Sequence, residues 1–426
     1  MSEITPEQQW TQWREQWDEA AWHFTYMDEA QPDKPVLQGG LVVVFYFVDA
    51  AQPEKRKALA QMLRDFHGRY AQHLTWGTFG PKVDQQPYTR KKVMECAEWI
   101  EQADTNHAVE FTWASGGGLD FVGEYQIDAF SIASWKERVH QGVSHLRIHL
   151  PVDVLAGTGR QELLLWMHQC VKLMRPLNGY AGLGFQQCYE SSEYEHLEIE
   201  HALDFIGLDV GAPLNRKRQR HGIKSINWLT LLDDSMLAPL GGRSRLKEQT
   251  AKINRCLQIQ AMRDNAPAEQ LTLHFYEGGV MVQAGEWPRL GWVEHDAYPL
   301  AYVAANLLLR PARVPELGSL HLGSVVGEAR FDKHTSNVWL RRFDAASDEL
   351  EVTLNARVHE LPAAASASRQ ASVPGGEPCP KAGWWFTPAQ LDSRRYFDKG
   401  EIMPVIKRSS FGDTNWQQTG DPKDDK

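Results

Sequence analysis

The sequence predicts an α+β fold, with mixed or antiparallel sheets packed against helices in two α/β lobes. An apolar run, LVVVFYFV at 41–48, contains no charge and reads as a strand covered on both faces. Two pairs of strand-like runs flank glycine turns, at 115–118 and 278–279, as hairpins do. QELLLWMHQCVKLMRP at 161–176 repeats apolar residues at helical spacing until Pro176 stops it. At roughly 150 residues per domain, 426 residues accommodate two or three domains. The expected organisation is an acidic amphipathic helix at 1–35, a first lobe at 36–212 and a second at 213–426. The second lobe would hold a low-complexity loop at 361–378 and an aromatic-rich C-terminal segment.

In chain order, Trp10, Trp13 and Trp17 recur with Ala20, Ala21 and Phe24 on one helical face. That stripe reads as core, with a partner helix site as the alternative. After the central strand, Pro53 starts a helix carrying Leu59, Met62, Leu63 and Phe66, and Val93, Ala97 and Ile100 mark another. VEFTW and DFVGEYQI pair across the first glycine turn. SHLRIHLP alternates Leu146, Ile148 and Leu150 with His145, Arg147 and His149, as a half-exposed strand would. The 161–176 helix buries Leu163, Trp166, Met167, Cys170, Leu173 and Met174. GYAGLGFQ reads as a glycine-rich loop, without the Gly-x-Gly-x-x-Gly order of a dinucleotide site.

EYEHLEIEHALDFIGLDV reads as a helix up to Gly207. RKRQRHGIK is a basic stretch, either a solvated linker or a patch for an acidic surface. INWLTLL is a strand, a helix follows Leu240-Gly241-Gly242, and LTLHFYE pairs with VMVQAGE. YPLAYVAANLLL reads as a helix or a strand followed by one, and 319–330 is weakly patterned. The stretch 361–378 reads as a mobile surface insertion, Thr387-Pro388 as the start of a short helix over Trp384, Trp385 and Phe386, and DPKDDK as a solvated tail.

Lys+Arg 45 against Asp+Glu 55 leaves a net charge of -10, which argues against direct nucleic-acid binding and favours a basic partner. No apolar run approaches the ~18 residues of a membrane span. The opening Met-Ser-Glu-Ile-Thr-Pro lacks an export signal, so the expected compartment is the cytoplasm. Cys96, Cys170, Cys188, Cys256 and Cys379 are dispersed and read as reduced thiols.

Catalytic patterns are sparse. Asp120, Glu124 and Gln126 loosely copy a metal-dependent nuclease, with Glu124 and Gln126 on one strand face, but the usual lysine is missing. His196 and Glu200 share a helix face without a third ligand nearby, and His145 and His149 stand about 13 Å apart on a strand. No local motif for nucleophilic, phosphate-loop or zinc chemistry is present. The expectation is therefore no enzyme, no metal and no cofactor.

Three stretches carry a resemblance: LVVVFYFV with its helix, Gly179-Tyr180-Ala181-Gly182-Leu183-Gly184, and Ile223-Lys224-Ser225-Ile226-Asn227-Trp228-Leu229-Thr230 with Leu240-Gly241-Gly242. Continued by Gln283-Ala284-Gly285-Glu286 and Pro288, they resemble the type VI secretion immunity family paired with restriction-type (VRR or Tox-REase) nuclease effectors, over about Val36 to Arg310. Trp385-Phe386-Thr387-Pro388-Ala389, Ser393-Arg394-Arg395-Tyr396-Phe397, Gly400-Glu401-Ile402-Met403-Pro404 and Thr414-x-Trp416-Gln417 are similar to immunity protein family 52.

The resemblance implies a non-enzymatic antitoxin that binds and neutralises a cognate type VI secretion nuclease toxin by occupying its nuclease domain. An adaptor or chaperone that binds without inhibiting is the alternative, and a metal-dependent hydrolase a more distant one. No catalytic residues are carried over. Gly182, Gly184, Asn227, Trp228, Gly285, Trp385, Pro388, Pro404 and Trp416 look like fold determinants, with Pro404 ending a strand. Charge complementarity independently suggests an effector-binding face on acids of one of two helices, Glu15, Asp18 and Glu19 or Glu193, Glu195, Glu200 and Asp204, with a solvated helix face as the alternative for each.

Overall fold

A computed structural model describes residues 5–80, 84–188, 194–213, 217–264, 267–295, 298–321, 329–357, 372–387, 389–390, 393–407 and 414–418. The first compact unit spans 1–354 and the second 355–426. Within the first, α1 (Pro6–Ala21) leads through a 3-10 turn at Trp22–Phe24 to β1 (Tyr26–Met27) and β2 (Pro35–Phe47). Then come α2 (Pro53–Tyr70), β3 (Trp76–Phe79), β4 (Gln86–Pro87), α3 (Arg90–Gln102), β5 (Val109–Ala114) and β6 (Gln126–Ser131). They are followed by α4 (Ser134–His140), β7 (Ser144–Leu150), α5 (Gly159–Met174), β8 (Asn178–Gln187), α6 (Leu197–His201) and β9 (Leu229–Asp233). Next are α7 (Gly242–Asp264), β10 (Leu271–Tyr276), β11 (Gly279–Ala284), α8 (Leu300–Leu309), α9 (Lys333–Leu340) and α10 (Asp344–Arg357).

One sheet organises this unit in the order β10-β11-β9-β8-β2-β7-β6-β5-β3-β4, with β1 beside β2. Every neighbouring pair is antiparallel. β2 is central because it is apolar on both faces, and its 41–47 stretch is buried throughout between β7 and β8. The α2 residues Leu59, Met62, Leu63 and Phe66, the α3 residues Val93, Ala97 and Ile100, and Trp166, Met167 and Cys170 of α5 join one core cluster beneath it. The expected boundary at 212 falls inside this sheet, since β8 and β9 pair across it, and the chain divides after 354 instead.

Several expectations are corrected. The glycine run at 179–184 is the buried strand β8 rather than a loop. A Cβ at Gly182 would stand 1.8 Å from Asn227 Oδ1, and one at Gly184 3.1 Å from both Asp209 Cβ and Val42, so absent side chains let neighbours close over the strand. β7 is buried on both faces, its His145 and His149 included, because polar Asp128 and Arg147 lie beside them under cover. In the first hairpin β6 starts only at Gln126, which puts Asp120 and Glu124 in the preceding loop. The expected 193–207 helix shrinks to the short α6, followed by turns. The second hairpin has β10 and β11 in register across Glu277-Gly278.

The second unit is a small antiparallel sheet, β12 (Ser372–Pro374), β13 (Gly383–Phe386), β14 (Arg395–Phe397) and β15 (Asn415–Gln418), in the order β12-β15-β13-β14. Trp385, Phe397, Trp416, Val373, Cys379 and Met403 form its core. Of the three aromatics expected to pack beneath a helix begun at Thr387-Pro388, only Trp385 is buried, because they form β13 and its alternation leaves Trp384 and Phe386 outside. Pro404 ends no strand; its carbonyl accepts the Trp416 indole N–H at 2.9 Å. Pro388, the DPKDDK tail and most of the 361–378 insertion lie outside the described residues.

Candidate functional site

The N-terminal helix starts cleanly because Thr5 and Gln8 form a reciprocal capping box and Pro6 occupies the first turn. Its stripe is core: Trp13, Trp17, Ala20 and Phe24 are buried. Trp13 stacks on Trp10 and Trp17 at 5.5 and 6.0 Å, and its indole N–H donates to the Pro288 carbonyl at 2.6 Å. Helical period then turns Glu15, Asp18 and Glu19 to the outside, where all three are exposed. Asp18 accepts from Arg14 at 2.8 Å, and Arg14 also pairs with Asp153. Glu15 and Glu19 have no partner among the described residues.

The second acidic segment is divided between interior and surface. Glu193 lies outside the described residues, and Glu195 is buried. Glu198 is buried and accepts from Gln187 at 2.5 Å and from the Gly211 amide at 2.7 Å, with His321 at 2.9 Å. Glu200 is exposed and accepts from the Tyr26 hydroxyl at 3.0 Å; burial, then this carboxylate, raises the Tyr26 pKa. Asp204 is half-buried, 3.4 Å from His201.

Folding brings the two segments together. The His23 ring meets His201 and Phe205 at 5.7 Å and Trp292 at 5.3 Å, while Phe24 packs on Phe205 at 5.2 Å. Trp292 bridges to Phe205 through the backbone and stacks on His295 at 3.8 Å. Trp22 lies on His23 at 3.6 Å yet remains 70% exposed. Leu203, Val293 and Tyr298 are further exposed side chains here, and the Val293 amide donates to the Asp204 carbonyl. The result is an aromatic and histidine surface edged by Glu19, Glu200 and Asp204. An exposed apolar cluster within a polar edge is characteristic of protein interfaces.

Beside it, α1, residues 289–295 and Tyr298-Pro299 line a cavity of about 440 Å³, with Gln16, Glu19, Glu269, Arg289, His295 and Tyr298 among the lining residues. Sequence reasoning missed Trp22, His23, Leu203, Trp292, His295 and Tyr298. One signal was available: at helical spacing Trp22 stands about 140° from Trp17, an aromatic off the buried stripe.

The catalytic candidates do not converge. Asp120 pairs with Lys34 at 2.6 Å, Glu124 precedes the strand, and buried Gln126 donates to Asp128 at 2.8 Å. Among the described residues no group of three or more His, Cys, Asp or Glu is placed to hold a metal, and no helix is long and apolar enough to cross a membrane. In the basic stretch, Arg218 pairs with Glu316 at 2.7 Å, Arg220 with Glu137 at 3.6 Å, and buried Lys224 with Asp209 at 3.0 Å, so these cations serve the chain's own acids.

The model of the TsiV family, type VI immunity for VRR-NUC, matches residues 58–343. That is more than half of the chain, which belongs to this family and is a type VI immunity protein for VRR-NUC nucleases. The match includes the Glu195–Asp204 and Trp292–Tyr298 parts of the surface; α1 and the second unit lie outside it. Among solved structures the chain is similar to the Pseudomonas aeruginosa T6SS protein PA0821, at 25% identity and a TM-score of 0.65, covering 78% of this chain and 90% of that one. No curated protein matches.

Proposed function

We propose that this immunity protein neutralises its cognate nuclease effector in the cytoplasm by stoichiometric, non-catalytic binding, seating its acid-edged aromatic surface on the DNA-binding cleft of the nuclease domain. The observation that carries this reading is the convergence of exposed Trp22, Leu203, Val293 and Tyr298 with Glu19, Glu200 and Asp204 from separate parts of the chain. A nuclease presents basic groups to phosphate, so a protein of net charge -10 meets it with complementary potential. Desolvated aromatics at the centre supply the slow dissociation that charge alone does not.

The test is DNA cleavage by the nuclease encoded beside this gene, followed while the chain is titrated. Loss of cleavage at equimolar chain, relieved by excess DNA and with association slowed by salt, is the expected result. A stable complex with cleavage intact would support the escort reading instead.

A further inference from the structure

We infer that the cavity lined by α1, residues 289–295 and Tyr298-Pro299 receives a lysine or arginine side chain of the nuclease effector, an anchor point within the proposed interface; the inference rests on the proposed function. Its lining is suited to a cation. The Glu19 carboxylate has no partner among the described residues, and Gln16 offers an amide oxygen from the preceding turn of the same helix. Tyr298, 49% exposed, lines the cavity together with the stacked Trp292 and His295. A carboxylate with an aromatic face is the usual pairing for a guanidinium or ammonium at an interface.

The opposing charge in the lining is already neutralised: Arg289 pairs with Glu269 at 2.7 Å, and Glu269 also accepts the Ala301 amide. Glu19 is thus the uncommitted charge among the lining residues. The cavity adjoins the exposed aromatics, so an inserted side chain would be shielded from water by the same contact that covers Trp22.

The experiment measures the dissociation constant of the full chain for the nuclease encoded beside it, for wild type, Glu19→Gln, Tyr298→Ala and the α2 surface control Glu54→Gln. Each is checked for an unchanged thermal midpoint. We expect about tenfold weakening for Glu19→Gln and for Tyr298→Ala, and less than about twofold for the control. Alanine substitution of the effector's surface arginines and lysines should then reveal one whose loss costs nothing further in the Glu19→Gln background. Wild-type affinity in both cavity variants, or additive losses at every basic effector residue, overturns the inference while leaving the proposed function standing. Failure of the wild-type chain to bind the nuclease removes both.

Discussion

The two acidic segments of this chain read alike in sequence, but one keeps its acids in water and the other buries part of them. α1 is a regular helix whose aromatic stripe is fixed by burial, so its period sorts the acids outward and leaves Glu15 and Glu19 free. Between Tyr194 and Asp209 the helix lasts only from Leu197 to His201, and the chain turns inward with Glu198 as a buried acceptor shared by Gln187, Gly211 and His321. Acid content therefore does not measure charge available to a partner. What decides is whether backbone geometry is regular enough to keep one face in water.

The sharpest way to break this contrast is at Glu198. Its removal leaves buried donors without an acceptor, and Glu198→Ala should cost about 3–5 kcal/mol in chemical denaturation. A loss below about 1 kcal/mol would mean that the second segment is surface after all. On the other helix, Trp13→Ala removes a buried ring with a satisfied indole and should cost about 3 kcal/mol; a neutral effect would return the stripe to the role of partner site.

Acid offers a third comparison, between buried and exposed polar groups. Burial, aided by Arg147, pushes the His149 pKa down to about 3. The folded value lies below the unfolded ~6.5, so the folded state binds fewer protons. Stability from this group is complete above about pH 6.5 and falls as pH drops toward about 3, amounting to a loss of about 2 kcal/mol at pH 5. Comparing unfolding at pH 7.5 and pH 5 in wild type and His149→Gln should show the difference smaller by about 2 kcal/mol in the variant, the remainder belonging to other buried histidines such as His168.

The smallest effect on stability belongs to Glu15→Lys, expected within about 0.5 kcal/mol because the side chain is exposed and unpaired. Its affinity for the nuclease should nevertheless fall several-fold, more at low salt than at high. Affinity equal to that of wild type at both salt concentrations would remove α1 from the interface and confine the binding face to the part of the chain that the family match spans.

Sequence by itself determined the elements whose burial pattern is local and complete: the uncharged central strand, the helices begun by Pro53 and ended near Pro176, the 278–279 hairpin and the buried tryptophan stripe. It also carried the words that meet in space, since Gly182 lies under Asn227 and the Trp228 indole donates to the Gly285 carbonyl, where Gly285 takes a φ of +80° that a side chain would strain. The candidate site was legible only in its charges.

Tertiary structure alone decided that the glycine run is a strand, because close neighbours replace the side chains that strand propensity counts. It also decided that β7 is covered on both faces and that Glu195 and Glu198 are interior. The exposed aromatic surface was invisible for the same reason. Its members come from 22–26, 201–205, 292–295 and Tyr298, and no periodicity links residues that only long-range packing brings into contact.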